Sequence, residues 1–118
     1  ELVARARWVL NRRGTLTGGD VVRIGDLVIN TANFEVFVKG RRVSLRYKEY
    51  ELLLLMATNP GRVYSRETLL NRIWGYDYLG GTRTVDVHVR RLRSKIESPG
   101  RSFIETIYLV GYRFRATL

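Results

Sequence analysis

The stretch Thr82-Arg83-Thr84-Val85-Asp86-Val87-His88-Val89-Arg90-Arg91-Leu92-Arg93-Ser94-Lys95-Ile96-Glu97 constrains the fold more than any other. On a helix of about 100° per residue, Val85, Val89, Leu92 and Ile96 fall within roughly 60° of one another, an apolar stripe that has to face a core. Val87, Arg90, Arg91 and Ser94 fall on the opposite side, with Asp86, Arg93 and Glu97 on one flank and His88 and Lys95 on the other. The helix therefore presents a basic outer face with one small apolar side chain in it. An arginine can donate two bonds to guanine O6 and N7, a valine can touch a thymine methyl, and flanking cations can meet phosphates.

A basic helix face can also be nothing more than a solvated surface. The charge of the whole chain favours a polyanionic partner: the 118 residues hold 21 Lys plus Arg against 11 Asp plus Glu, a net charge of +10. Nucleic acid or an anionic membrane surface is the partner class this implies. With 45% hydrophobic residues, the chain can bury a core and is not a disordered basic tail. No apolar run approaches the length of a membrane span, so no spanning helix is expected, and of the two partner classes the reading taken is nucleic acid, with no membrane partner. Cysteine is absent, which removes disulfides and thiolate metal sites and suits a reducing compartment. With no signal peptide visible, the chain reads as cytoplasmic.

From the N-terminus, Glu1 to Arg13 is rich in helix formers, with Leu2, Ala6, Val9 and Leu10 on one side, and Gly14, Gly18 and Gly19 break the pattern. Residues 1–19 read as an amphipathic tail and linker outside the fold. Between Asp20 and Leu45 come four short β-like runs, Val21–Ile24, Leu27–Ile29, Phe34–Val38 and Arg42–Leu45, separated by turn residues, which predicts an antiparallel meander. Tyr47 to Thr58 has helical spacing and stops at Asn59-Pro60-Gly61. Ser65 offers an N-cap oxygen to a second helix with Leu69, Leu70, Ile73 and Trp74 on its apolar face. Gly75 to Gly81 is a loop holding Tyr76, Asp77, Tyr78 and Leu79, readable as a packed turn or a protein contact.

After the basic helix, Ser98-Pro99-Gly100 forbids continuation, and Phe103 to Phe114 alternates as a hairpin with its tip near Tyr108-Leu109-Val110-Gly111. The fold class is α+β: an N-terminal antiparallel sheet, three helices and a C-terminal hairpin wing, a winged helix-turn-helix over residues 20–118. Asp86 is expected to pair with Arg90 or Arg93 on its own helix. His88 is expected to serve a phosphate or to pack at the helix edge.

Ser65-Arg66-Glu67-Thr68-Leu69-Leu70, Trp74-Gly75, Arg83 to Lys95 and Gly111-Tyr112-Arg113-Phe114 together resemble the C-terminal effector domain of OmpR/PhoB-type response regulators. The likeness spans about residues 20 to 116, and Leu2 to Arg13 resembles the end of a receiver's last helix running into the interdomain linker. The resemblance implies a transcription factor of a two-component system, phosphorylated on a receiver domain by a cognate sensor kinase and binding double-stranded DNA at tandem direct repeats. It also implies an RNA polymerase contact through Tyr76, Asp77, Tyr78 and Leu79. No cofactor or metal is implied, and the isolated domain is expected to be a monomer that forms a tandem dimer on DNA.

By position in that family, Val87, Arg90 and Arg91 would read bases. Arg83, Thr84, His88, Arg93, Lys95, Thr106, Tyr112 and Arg113 would meet the DNA backbone, and Tyr108 and Leu109 form the wing tip. The sequence departs from the family in two places. Arg46 stands where a threonine usually caps the first helix three residues before Glu49, which removes the reciprocal capping box. Tyr108-Leu109 replaces the usual Arg-Gly of the wing.

The rival readings explain less. A hydrolytic enzyme would need an acid/base or metal cluster, whereas the chain has one histidine, whose nearest acid, Asp86, lies on the other flank of the helix. A winged helix that binds only protein is the alternative. It would leave the net charge of +10 and the outward arginine pair without a partner.

Overall fold

The computed structural model describes residues 9–13, 15–17 and 20–116, and the chain divides into two compact units, one ending at Ser44 and the other beginning at Leu45. In the first unit, β1 (Val9–Arg13) pairs antiparallel with β2 (Thr15–Thr17). The helical expectation for Glu1 to Arg13 is thus corrected over its last five residues, and its remainder lies outside the described residues. The helix formers that suggested it are concentrated ahead of Val9. The segment beyond carries β-branched Val9, Thr15 and Thr17, of which Val9 and Thr17 are cross-strand partners.

The predicted meander forms: β3 (Val21–Ile24), β4 (Leu27–Asn30), β5 (Glu35–Val38) and β6 (Arg41–Val43) lie side by side in that order, all antiparallel. Leu27 stands opposite Val38 and Ile29 opposite Val36, so four fully or nearly buried side chains share one face. Lys39 and Gly40 connect β5 to β6 with φ of 53° and 78°, the pair of left-handed residues a tight two-residue hairpin uses.

The second unit holds α1 (Tyr47–Ala57), β7 (Tyr64–Ser65), α2 (Arg66–Ile73), α3 (Arg83–Ile96), β8 (Ile104–Ile107) and β9 (Gly111–Phe114). Arg46 is the N-cap of α1, and its side chain makes no cap bond, as a guanidinium without a lone pair must fail to. Half of the box survives, because Glu49 Oε1 accepts the Arg46 N–H at 2.9 Å. At α2 the expected cap is present: Ser65 Oγ accepts from Thr68 N at 3.1 Å.

All four stripe residues of α3, Val85, Val89, Leu92 and Ile96, are buried, alongside Leu52, Leu53, Met56, Leu69, Phe103, Ile104 and Phe114. Glu97 ends the helix in an extended conformation just before Ser98-Pro99-Gly100. The wing is a hairpin of β8 and β9, and β7 adds a third strand on the far side of β9, giving the order β7-β9-β8. Gly111 makes that addition possible. A Cβ there would collide with the Tyr64 carbonyl oxygen and sit 2.9 Å from Ser65 Cα.

Candidate nucleic-acid interface

With the stripe turned inward, the outward residues of α3 are fixed by helical geometry alone. Arg83, Arg90 and Arg91 are exposed, and among the described residues their guanidinium groups hold no hydrogen bond or ion pair. Val87 lies half-buried on the same face. Three free cations around one valine on a rigid helix are therefore available to an external anion.

The flank residues behave differently, because several are engaged within the protein. Asp86 does not pair with Arg90 or Arg93. Its Oδ1 accepts from Arg66 Nε at the start of α2 and from the Tyr112 hydroxyl on β9, both at 2.8 Å. Two short bonds to one carboxylate oxygen from two other elements outweigh a weak pair along one exposed helix face. Burial and the Asp86 carboxylate push the Tyr112 phenol above its ordinary pKa, which keeps it a donor.

Arg93 donates from Nε to Glu97 Oε1 at 3.2 Å and from Nη1 to Thr106 Oγ1 at 2.8 Å. Glu97 Oε2 in turn accepts the backbone N–H groups of Phe103 and Ile104, each at 2.8 Å. Together with the Asp86–Tyr112 bond, these contacts tie both ends of the wing's base to α3. Between helix and wing they leave an open concavity of about 350 Å³, lined by Asp86, Val89, Arg90, Arg93, Thr106 and Tyr112.

His88 packs at the helix edge, one of its two expected states. Its Nδ1 lies 2.8 Å from the Thr84 carbonyl oxygen, so that nitrogen carries the proton and donates, and its ring meets Trp74 edge-on at 4.9 Å. The Thr84 hydroxyl is 3.2 Å from that of Tyr78. Lys95 Nζ donates to Glu49 Oε1 at 2.7 Å, and Arg113 Nε to Glu105 Oε1 at 2.6 Å. In the loop between α2 and α3, Tyr76 and Leu79 are 84% and 99% exposed, whereas Tyr78 leans on Trp74 with ring centroids 6.2 Å apart. At the wing tip Tyr108 and Leu109 are exposed as expected.

Sequence reasoning missed the third wing strand, the buried Phe103, the Glu49–Lys95 pair and the Glu97 clamp. Tyr64-Ser65 is too short to carry a period. The Arg93–Glu97 spacing of four residues was the one readable signal for the clamp.

No group of three or more His, Cys, Asp or Glu placed to hold a metal occurs among the described residues, and none of their helices is long and apolar enough to cross a membrane. The family described as "Transcriptional regulatory protein, C terminal" matches residues 40–114, which covers α1 through β9 and every element of the interface. The chain belongs to this family, the DNA-binding effector domains of OmpR/PhoB-type response regulators.

Among relatives of this effector domain, the heme response regulator HssR of Staphylococcus aureus (strain bovine RF122 / ET3-1) is 40% identical over 114 residues, covering 96% of this chain and 50% of that protein. The chain spans about half the length of the curated relatives it matches. Response regulator DrrB, a Thermotoga maritima OmpR/PhoB homolog, superimposes with a TM-score of 0.74 at 42% identity, covering 81% of this chain and 44% of that one. The Klebsiella pneumoniae RstA DNA-binding domain, solved in complex with the RstA box, gives a TM-score of 0.71 at 32% identity, covering 81% of this chain and 97% of that one. The winged helix-turn-helix expected from the sequence is the fold these domains share.

Proposed function

We propose that this effector domain inserts α3 into the major groove of double-stranded DNA, with Val87, Arg90 and Arg91 at base edges. The observation that carries the reading is the cluster of exposed, uncommitted arginines around Val87 on the face opposite the buried stripe. Arg83, Thr84 and Thr106 lie around that face and take the phosphates, with Arg93 held against Thr106 and Arg113 beside Glu105. Tyr112, buried with its hydroxyl on Asp86, and His88, packed on Trp74, instead support α3 from its flanks. Lys95 serves the fold first, through Glu49.

The functional unit comprises residues 20–118, preceded by a connection to a receiver domain that a sensor kinase phosphorylates. In that setting two copies occupy tandem direct repeats, and Tyr76, Asp77, Tyr78 and Leu79 contact RNA polymerase, an assignment supported by the high exposure of Tyr76 and Leu79. The effector domain on its own is a monomer in solution and fills repeated half-sites one after another.

Selection of bound sequences from a random duplex library tests the whole reading, since it returns motif, repeat spacing and stoichiometry together. A recurrent direct repeat is the expected result. Failure to enrich any sequence, or equal competition by RNA, would leave the protein-interaction reading in its place. Sedimentation at micromolar concentration should show a monomer free of DNA.

A further inference from the structure

Thr84, in the first turn of α3, precedes Arg91 by two helical turns and so faces nearly the same way. Its hydroxyl oxygen is 3.2 Å from that of Tyr78 in the loop ahead of α3, and among the described residues this is the one hydrogen bond that either hydroxyl makes. The Tyr78 ring is held by two neighbours. It leans on Trp74, whose own ring is met edge-on by His88 at 4.9 Å, and a Cβ at Gly80 would collide with it, 2.6 Å from the phenol oxygen. The phenol is therefore aimed at Thr84 by packing, although Tyr78 is 39% exposed.

Two hydroxyls that share one hydrogen bond hold two protons, and the bond uses one of them. A phenol is a stronger acid than an aliphatic alcohol, so Tyr78 donates and Thr84 accepts. The Thr84 proton is then left without an acceptor among the described residues, next to exposed Arg83 and on the basic side of α3. A helical threonine left to itself turns its hydroxyl onto a carbonyl three or four residues back. Here that acceptor is the Gly81 carbonyl, which already takes the Thr84 N–H at 3.1 Å. The phenol holds the hydroxyl in the outward alternative.

We propose that Tyr78 is a positioning residue for DNA binding: its phenol donates to Thr84 Oγ1 and so directs the Thr84 hydroxyl proton at a phosphate of the duplex that α3 occupies. Hydrogen bonds in a chain polarise one another, so a Thr84 hydroxyl that accepts from a phenol is also the better donor to the phosphate. Tyr78 acts through Thr84 and meets no nucleotide itself.

The proposal rests on the duplex-binding reading, and one double-mutant cycle separates the two. Wild type, Tyr78→Phe, Thr84→Val and the double variant are titrated onto a duplex bearing a single half-site from the library selection, and onto a random duplex, at several salt concentrations. Tyr78→Phe keeps the ring against Trp74 and Gly80, and Thr84→Val keeps the outline of the side chain. Thr84→Ala repeats the cycle with a smaller residue, so that the result does not depend on how the valine packs. Thr84→Ser, which retains a hydroxyl, is the conservative control.

Thr84→Val should weaken binding to both duplexes about tenfold or more, and Tyr78→Phe about three- to tenfold. The preference for the selected duplex should hold, because a phosphate carries no sequence information. The slope of log K against log salt should also hold, because no cation has been removed. The double variant should bind no more weakly than Thr84→Val alone, and Thr84→Ser should bind like wild type and stay sensitive to Tyr78→Phe. Wild-type affinity in Tyr78→Phe, or losses that add in the double variant, overturns the positioning role and leaves the duplex reading intact. Wild-type affinity in both Thr84→Val and Thr84→Ala also overturns it, and removes Thr84 from the phosphate contacts. A wild type that binds no duplex sinks both readings.

Discussion

Lys95 Nζ lies 2.7 Å from Glu49 Oε1, and the Glu49 side chain is completely buried while that of Lys95 is 32% exposed. The pair joins the last turn of α3 to the first turn of α1, so a cation that the sequence assigns to a phosphate is the counter-ion of an acid in the core. Lys95→Ala leaves that carboxylate without its cation. Because Lys95 reaches solvent, the loss should be below that of a fully buried pair, about 1–3 kcal/mol. Urea unfolding checks it, and unchanged stability would return Lys95 to the DNA-facing set.

The same pair sets the acid stability. Burial pushes the Glu49 carboxyl up, but the Lys95 hydrogen bond, the Arg46 N–H and the nearby charges of Lys95 and His88 together hold it below its ordinary 4.5. A depressed folded-state pKa means stability that is present above 4.5 and lost as pH falls through the lower folded value. Urea midpoints should therefore drop below that pH. Lys95→Ala removes two of the causes that hold the carboxyl down, so the loss of stability on acidification should shrink in that variant.

Gly111 is required by the close approach of β9 to Tyr64 and Ser65. Gly111→Ala should cost about 1–3 kcal/mol as the β7–β9 pairing is forced apart. Amide exchange should show the loss concentrated in residues 64–65 and 111–112. A uniform loss over α1 would mean the strand contact is incidental.

The parts legible in the sequence are those written by period. Val85, Val89, Leu92 and Ile96 declare the buried side of α3, and with it the free side that carries Arg91. The four meander strands and the Ser65 cap were readable for the same local reason. What stayed hidden depends on residues far apart in sequence. Asp86 meets Arg66 and Tyr112, and Glu49 meets Lys95, across separations that no helical spacing encodes. Which cations were free and which were committed could be seen only once those elements were assembled.

Leu109 supplies a test of local strain. With φ at 64° in a turn, Leu109→Gly removes a Cβ penalty of about 1–2 kcal/mol, part of which is returned as the greater flexibility of glycine in the unfolded chain. The variant should be more stable than wild type by up to about 1 kcal/mol. Thermal unfolding decides, and a destabilised variant would show that the leucine side chain has a packing role despite its exposure.

Arg91 and Lys95 lie one turn apart on α3, and the structure separates their roles. Arg91 is exposed with no partner among the described residues, whereas Lys95 is bonded to Glu49. Arg91→Ala should leave the unfolding midpoint nearly unchanged and weaken the selected sequence by about 1–3 kcal/mol while nonspecific binding stays close to wild type. Lys95→Ala should do the reverse, lowering stability while its folded fraction retains most of the discrimination between selected and random duplexes. Isotherms on both duplexes, at a temperature where each variant is folded, read out the contrast. Equal loss on both duplexes for Arg91→Ala would make it a phosphate contact, and a selective loss for Lys95→Ala would place its ammonium group at a base edge after all.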